Sequence, residues 1–482
     1  MTSSTMKNTC DILITNAKGV VIPEIGIIQT NILIENGKIK SLQRSIDNIQ
    51  ASQTISADDK YVLPGVIDPH VHYGVYRPIE EAAKTESTSA SVGGVTTMMR
   101  ILRMTGSYRD IENQLVASRG NHYVDYCIHA SILYPSQIQD IPYLAEKIGI
   151  NSFKVYMNLG GELNHIYVDL EPGSDEPLDS EVNVDDELLT SIMMSATRNN
   201  SLTMVHAEDP LMCAEYMRAI KSKHGNLSSL KTWSRCRPAL SESRSIAKAA
   251  SFARQFNSEL YFVHIGSAQA LETILQQRGR GAGKGSLYIE TCPHYLTHST
   301  DFNSILGKVV PPIRSKSDLY HLWSALRHGQ IDTIGTDHVA NRLSMKVGNG
   351  DIWSALAGFP GLATMIPVLL SNGVNKHRIS LERVAEVTSY NTSRIFGLYP
   401  RKGTIQPGSD ADIVIVDLAL KKKVSSQLLK SYSDYTIYDG WELEGWPVLT
   451  MVRGIVVMEN GEVEKRTLGH GKFIRRPTTC HK

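Results

Sequence analysis

Two histidines one residue apart, His70 and His72, end an apolar stretch that includes Val62, Leu63 and Val66. Side chains on a β-strand alternate between its two faces with a period of two, so both imidazoles would point the same way. Two neighbouring imidazoles at the end of a buried strand cost free energy unless a partner satisfies them, and a divalent metal ion can do so. The pair alone is a weak signal, because such a spacing often arises by chance.

Later apolar segments also contain or end in polar residues that could do chemistry. These residues are Lys154, His206, His264 and Asp337. Each type has a structural alternative: a core histidine, a lysine that extends its amine to solvent, or an aspartate that caps a helix. If the six groups were clustered without partners, each would cost several kcal/mol, which favours a shared function.

The apolar segments alternate with helix-like stretches such as residues 241–250. Eight alternations predict an α/β fold, a parallel (β/α)₈ TIM-like barrel, in which functional side chains lie at the carboxyl ends of the strands. A doubly wound open sheet is the alternative, but no GxGxxG turn supports it. The predicted strands cover residues 66–73, 95–101, 124–133, 153–157, 202–206, 260–264, 287–290 and 333–336.

Both ends of the chain are rich in predicted strands. Asn36-Gly37 lies between alternating apolar residues and predicts a two-residue hairpin turn, and Asn460-Gly461 follows a second such run. The simplest packing joins both ends in one small β-sandwich. We therefore predict a sandwich domain from residues 1–63 and 399–482, and a barrel domain from residues 64–398.

The composition is that of a soluble globular protein, with 41% hydrophobic and 21% charged residues in a chain of 482. A net charge of +1 argues against a nucleic-acid or membrane partner. No signal peptide or membrane span is expected, so we predict a cytoplasmic protein. The scattered cysteines form no CxxC pair and are expected to be thiols: Cys10, Cys127, Cys213, Cys236, Cys292 and Cys480.

The order of these residues along the predicted strands resembles the amidohydrolase superfamily: HxH on the first strand, lysine on the fourth, histidine on the fifth and sixth, and aspartate on the eighth. The chain is more narrowly similar to its cyclic amidohydrolases, which include hydantoinase, dihydropyrimidinase, allantoinase and dihydroorotase. The similarity covers nearly the whole chain. Supporting stretches are residues 93–98, 290–296, 311–314 and 403–412.

The resemblance implies a hydrolase that opens a C–N bond of a small cyclic amide or ureide with two divalent metal ions per subunit. Lys154 would react with CO₂ to give N6-carboxylysine, a carbamate that bridges the ions, since an ammonium has no lone pair to offer. Nitrogen and oxygen ligands suit Zn²⁺, with Mn²⁺, Co²⁺ and Fe²⁺ as alternatives. The implied ligands are His70, His72, the carbamate and Asp337 for one ion, and the carbamate, His206 and His264 for the other.

The resemblance also implies a mechanism and an assembly. A hydroxide that bridges the two ions would attack the amide carbonyl, which a metal polarises. Asp337 would take the proton as general base and deliver it as general acid to the departing ring nitrogen. We also expect a homo-oligomer, either a tetramer or a dimer.

Residues that contact the substrate in similar enzymes differ in this chain. Leu159 stands where hydantoinases have a tyrosine, and Val310 stands where they have a serine before the Pro-Pro motif. Ala357 replaces an asparagine before Gly-x-Pro-Gly. We therefore predict an unusually apolar pocket, in which Tyr156 or Tyr167 supplies a replacement hydroxyl.

Several alternatives stay open. Tyr73-Gly74 follows the histidine pair without the arginine typical of dihydroorotases, which disfavours that activity, whereas the stretch 350–362 resembles allantoinases. A hydrolase of acyclic amides would use the same ligands, and a non-catalytic scaffold would generally have lost some of them. The long acidic segment 158–187 is predicted to be a lid beside the Lys154 strand.

Overall fold

A parallel sheet closed into a barrel forms the centre of the computed structural model, which describes residues 8–224, 228–279 and 286–476. The last strand is interrupted. Thr333–Ile334 pairs with Leu287–Thr291, and His338–Val339 pairs with Val66–His72, so the sheet meets itself. The predicted barrel is confirmed. Its strands, in order, are Val66–His72, Val95–Arg103, Asp125–Ser131, Ser152–Tyr156, Leu202–His206, Leu260–Phe262, Leu287–Thr291, Thr333–Ile334 and His338–Val339.

The barrel strands are buried on both faces, which explains their continuous apolar runs. Every residue of Val95–Arg103 is buried. The predicted strand ends at residue 101, but the observed strand continues because Leu102 and Arg103 pair with Ala130 and Ser131 of the next strand. Asp169 supports this extension, because it accepts a hydrogen bond from the backbone N–H of Arg103 at 2.8 Å and one from Nη2 of Arg100 at 2.5 Å.

Helices cover the outside of the barrel with amphipathic faces. Asp186–Arg198 buries Leu188 and Ile192, and its first turn is capped by Asp185, which accepts a hydrogen bond from the Leu188 N–H. The α-helices are Ile79–Val92, Ile111–Ser118, Ile141–Tyr143, Asp186–Arg198, Pro210–His224, Leu230–Cys236, Ala239–Phe256, Ala268–Gly279, Lys316–Arg327, Leu343–Val347, Met365–Val368, Leu381–Ala385, Asn391–Ile395 and Ser426–Leu429. The shorter 3₁₀ and π turns are Tyr108–Asp110, Pro135–Asp140, Leu144–Ile148, Ile305–Gly307, Leu362–Thr364, Leu369–Val374, Glu386–Tyr390 and Lys465–Thr467.

The two ends of the chain pack together as two mixed sheets, in agreement with the predicted sandwich. Tyr61–Pro64 pairs with Ile413–Lys423, which joins the two ends in one sheet. Asn36 and Gly37 adopt φ of 52° and 73° between two paired strands, which confirms the predicted hairpin. One sheet contains Gly19–Ile22, Gly26–Ile28, Tyr61–Pro64, Ile413–Lys423, Glu442–Val452, Ile455–Glu459 and Glu462–Val463. The other contains Asn8–Thr15, Asn31–Glu35, Lys38–Gln43 and Ile49–Ser56.

A buried cluster of charges connects the barrel to the terminal sheets. Asp125, Asp410 and Asp412 lie close enough together to hold a metal ion. The amine of Lys402 already lies among them, at 2.7 Å from Asp125 and 2.5 Å from Asp412. A buried cation therefore already compensates these carboxylates, and we assign the cluster a structural role.

Two further features concern the cysteines and the helices. Five cysteines are buried free thiols: Cys10, Cys127, Cys213, Cys236 and Cys292. Cys480 lies outside the described residues.

Across residues 8–224, 228–279 and 286–476, no helix combines the length and the apolar character needed to cross a membrane.

Candidate active site

The structure brings all six predicted site residues together at the carboxyl end of the barrel. The Nε2 atoms of His70 and His72 lie 3.3 and 3.2 Å from Oδ1 of Asp337. The ring of His264 lies 5.4 Å from that of His70 and 4.4 Å from that of His206, measured between centroids. All of them, with Lys154, line one cavity of about 360 Å³.

Two of these residues have an uncommon backbone conformation. His264 and Asp337 adopt φ of 44° and 50°, a left-handed region that side chains with a Cβ rarely occupy. Neighbouring carboxylates stabilise both turns: Glu290 accepts a hydrogen bond from the His264 N–H at 2.9 Å, and Asp68 accepts one from the Thr336 N–H at 3.0 Å. Such conformations concentrate at functional sites, where the fold fixes the direction of a side chain.

Burial keeps the histidines of the site neutral. It lowers the pKa of His70 to about 3, with the Lys154 amine as the next contribution. Burial also lowers the pKa values of His72 and His264 well below their usual range. Neutral imidazoles keep the lone pair that binds a metal ion, so the site is prepared for coordination at neutral pH.

Two buried glutamates orient the histidines. Glu290 lies 2.8 Å from Nδ1 of His70, and Glu208 lies 2.6 Å from Nε2 of His206. Arg237 binds both oxygens of Glu208, at 3.0 and 2.8 Å. Burial alone would raise the pKa of Glu208, but Arg237 and His206 hold it at about 2, so this carboxylate is ionised. Histidines that bind metals commonly donate their other ring N–H to such a carboxylate.

A further observation indicates that the residues of the site fit a metal centre. Nζ of Lys154 and Nδ1 of His264 are buried, and neither has a hydrogen-bond partner among the residues that the structure describes. Buried polar atoms are seldom left unpaired, so these two atoms, which face the same cavity, are suited to binding a ligand. Nitrogen and oxygen donors of His70, His72 and Asp337 lie within 4.8 Å of one another, which suits a divalent cation.

The wall of the cavity contains the residues predicted to contact substrate. Tyr156, Leu159, Val310 and Ala357 all line it. Three of these side chains are apolar. The fourth, Tyr156, carries a hydroxyl, and its ring centroid lies 6.5 Å from that of His206. Charged and polar side chains, among them Arg103, Arg237 and Glu162, line the same cavity, so the unusually apolar pocket stays a prediction.

The segment 158–187 also contributes to the cavity. It contains an antiparallel hairpin of His165–Val168 and Leu178–Glu181. Tyr167 and Ile166 of this hairpin line the cavity beside the Lys154 strand. The hairpin therefore forms part of the cavity wall, and its role as a lid stays a prediction.

Sequence reasoning missed three residues of the site: Glu208, Glu290 and Arg103. Glu208 lies two residues after His206, and this close spacing is a signal that could have identified it. Glu290 begins residues 290–296, one of the stretches that resemble the cyclic amidohydrolases. Arg103 lines the cavity, and its Nη2 lies 3.2 Å from Nδ1 of His72. Arg103 belongs to no recognisable motif, so no specific signal in the sequence marks it as a site residue.

Comparisons with known proteins agree with this arrangement. A sequence profile of the amidohydrolase family matches residues 179–457, more than half of the chain. An L-hydantoinase of Paenarthrobacter aurescens is 32% identical over 97% of this chain and 98% of its own length. A D-hydantoinase of Geobacillus stearothermophilus is 29% identical over 95% of each chain. The chain belongs to the amidohydrolase family and is a hydrolase.

Solved structures give the same result for the fold. A dihydropyrimidinase from Brevibacillus agri superposes with a TM-score of 0.86 at 27% identity, over 98% of this chain and 99% of its own. An L-hydantoinase from Arthrobacter aurescens superposes with a TM-score of 0.87 at 31% identity, over 97% of this chain and all of its own. Barrel and terminal sheets are thus shared along the whole length.

Replacing Glu208 with glutamine is expected to weaken metal binding by about 10–100-fold, because His206 would lose the charge that orients its ring. The metal content after dialysis against graded chelator concentrations measures this effect. Arg244→Gln is the matched control, because its exposed guanidinium pairs with Asp209 outside the cavity. Unchanged metal retention in Glu208→Gln would show that the carboxylate does not support the metal ligands.

Proposed function

We propose that this protein is a binuclear metal hydrolase that opens the ring of a cyclic amide or ureide of the hydantoin or dihydropyrimidine type. The observation that carries the proposal is a lysine amine, Lys154, which is buried among four neutral histidines and Asp337 and has no hydrogen-bond partner in the part of the chain that the structure describes. The hydantoinases and the dihydropyrimidinase that match nearly the whole chain support this substrate class.

Lys154 carries the proposed modification. Burial lowers the pKa of its amine to about 7, against the attraction of Glu290 and Asp337. A large fraction of the amine is therefore neutral at physiological pH and can add to CO₂, which converts it to a carbamate anion and releases one proton to solvent. That anion and the ligand atoms around it would hold two divalent ions, for which we propose Zn²⁺. When bound, the ions supply Lewis acidity and activate water at neutral pH.

The chain's own residues supply the remaining chemistry. Asp337 presents Oδ1 to the cavity beside His70 and His72, where it can accept a proton from the attacking water and return it to the ring nitrogen as the C–N bond breaks. Tyr156 offers a hydroxyl to a ring carbonyl. The apolar side chains opposite exclude water from the substituent of the ring. We further propose a homo-oligomer in the cytoplasm, a tetramer or a dimer.

The test is a panel of hydantoins, dihydrouracil, allantoin, dihydroorotate and cyclic imides, assayed with Zn²⁺- and Mn²⁺-reconstituted protein. We expect ring opening of at least one hydantoin or dihydropyrimidine, with a product one water heavier and no second fragment. Metal-stripped protein is the control and should be inactive. Hydrolysis of acyclic amides alone, or of none of the rings, would contradict the proposal.

A further inference from the structure

Arg103 is a cation inside the cavity that the proposed chemistry does not use. It ends the second barrel strand and is only 9% exposed. Its Nε is buried and has no hydrogen-bond partner among residues 8–224, 228–279 and 286–476. The nearest carboxylate oxygen in the described part of the chain is Oδ2 of Asp169, at 3.9 Å from Nε. Among the described residues, therefore, no carboxylate compensates this guanidinium by a direct hydrogen bond.

The surrounding charges explain why Arg103 is uncompensated. Asp169 is already engaged by Arg100, whose Nη2 and Nε lie 2.5 and 3.2 Å from its Oδ1. By contrast, Arg237, the other arginine on the cavity wall within the described residues, is paired through two hydrogen bonds with Glu208. Because Arg103 shares the carboxylate of Asp169 with Arg100, its buried positive charge is only partly balanced. Such a charge favours the binding of an anion nearby.

The contact of Arg103 with His72 does not remove this surplus. Nη2 lies 3.2 Å from Nδ1 of His72, while Nε2 of the same ring faces Asp337. A neutral imidazole that gives the lone pair of Nε2 to a metal carries its proton on Nδ1 and cannot accept there. In the metal-loaded site two N–H groups would oppose each other, and Arg103 would lose its side-chain acceptor.

We propose that Arg103 binds a carboxylate of the substrate, so that this enzyme prefers cyclic amides that carry an anionic substituent. The inference rests on the proposed function and names the substrate class of the same site. A planar guanidinium matches a carboxylate through two parallel hydrogen bonds, which are strong in a buried site. The apolar side chains of Leu159, Val310 and Ala357 then face the uncharged part of the ring.

Hydantoin-5-acetate and hydantoin-5-acetamide test the proposal. They have the same shape, but the first carries a carboxylate where the second carries an uncharged carboxamide. Zinc-loaded wild-type protein should show kcat/KM for the acid at least about 10-fold above that for the amide. Arg103→Met should raise KM for the acid by about 10–100-fold and change the amide by less than about 3-fold. Arg77→Met is the matched control and should keep the preference, because Arg77 pairs with Glu81 outside the cavity.

The outcomes separate this inference from the proposed function. Hydrolysis of both compounds without a preference for the acid overturns the role of Arg103 alone. An equal loss for both compounds in Arg103→Met overturns it as well, because that pattern marks a residue that only positions His72. Calorimetric titration of metal-stripped protein with each compound decides the inference without turnover. Tighter binding of the acid that disappears in Arg103→Met supports it, and equal binding overturns it even if no ring is hydrolysed.

Discussion

Lys154→Ala is expected to lower kcat/KM by roughly three orders of magnitude and to leave less than one metal ion per chain. The amine is buried, lies among the neutral histidines and has no hydrogen-bond partner in the described residues, so its removal would leave a gap in the proposed ligand set. The barrel should stay folded, because alanine fits a buried strand and removes a costly desolvated amine. Metal analysis and steady-state kinetics on the same preparation measure both effects.

Short carboxylic acids provide a sharper form of this test. Propionate can enter the space left in Lys154→Ala and place a carboxylate where the carbamate would lie, so part of the activity and the metal content should return with increasing propionate. Lys154→Met is the matched control, because its side chain fills the space and should prevent rescue. Full turnover of Lys154→Ala without added acid would show that the lysine is not a metal ligand.

The barrel and the convergence of the six candidate ligands on one cavity could be predicted because their signals are local. Each predicted ligand lies within or just after an apolar run, and the parallel topology brings the ends of all such runs to one mouth. His70 and His264 lie 194 positions apart, yet their strand ends alone predict that they meet. The Asn36-Gly37 turn is likewise encoded in two residues.

The missed residues depend on contacts between distant parts of the chain. Glu290 is 220 positions from His70, and only the closed barrel brings its carboxylate to Nδ1 of that ring. Arg103 reads as the end of a strand, but Asp169, which is 66 positions later, holds its backbone inside the barrel. A buried charge is defined by its partners, and a single sequence does not state those partners.

Asp337→Asn is expected to lower kcat by about three orders of magnitude while the fold and the substrate affinity are kept. Asparagine has the same shape, and it tolerates the left-handed φ of 50° that position 337 requires. It therefore isolates the loss of the carboxylate, which lies 3.3 and 3.2 Å from the histidine pair and faces the cavity. An amide neither accepts the proton of the attacking water nor delivers one to the ring nitrogen.

The matched comparison is Asp337→Ala, which removes the same carboxylate but is strained at this φ. Both variants should lose activity to a similar degree, whereas only the alanine variant should lower the midpoint of thermal unfolding. Stopped-flow measurement of one turnover locates the defect in the chemical step, because a proton-transfer role predicts slow ring opening with unchanged binding. Near-normal kcat in Asp337→Asn would show that proton transfer passes through another group, and unequal activity of the two variants would show that backbone strain, not the carboxylate, sets the rate.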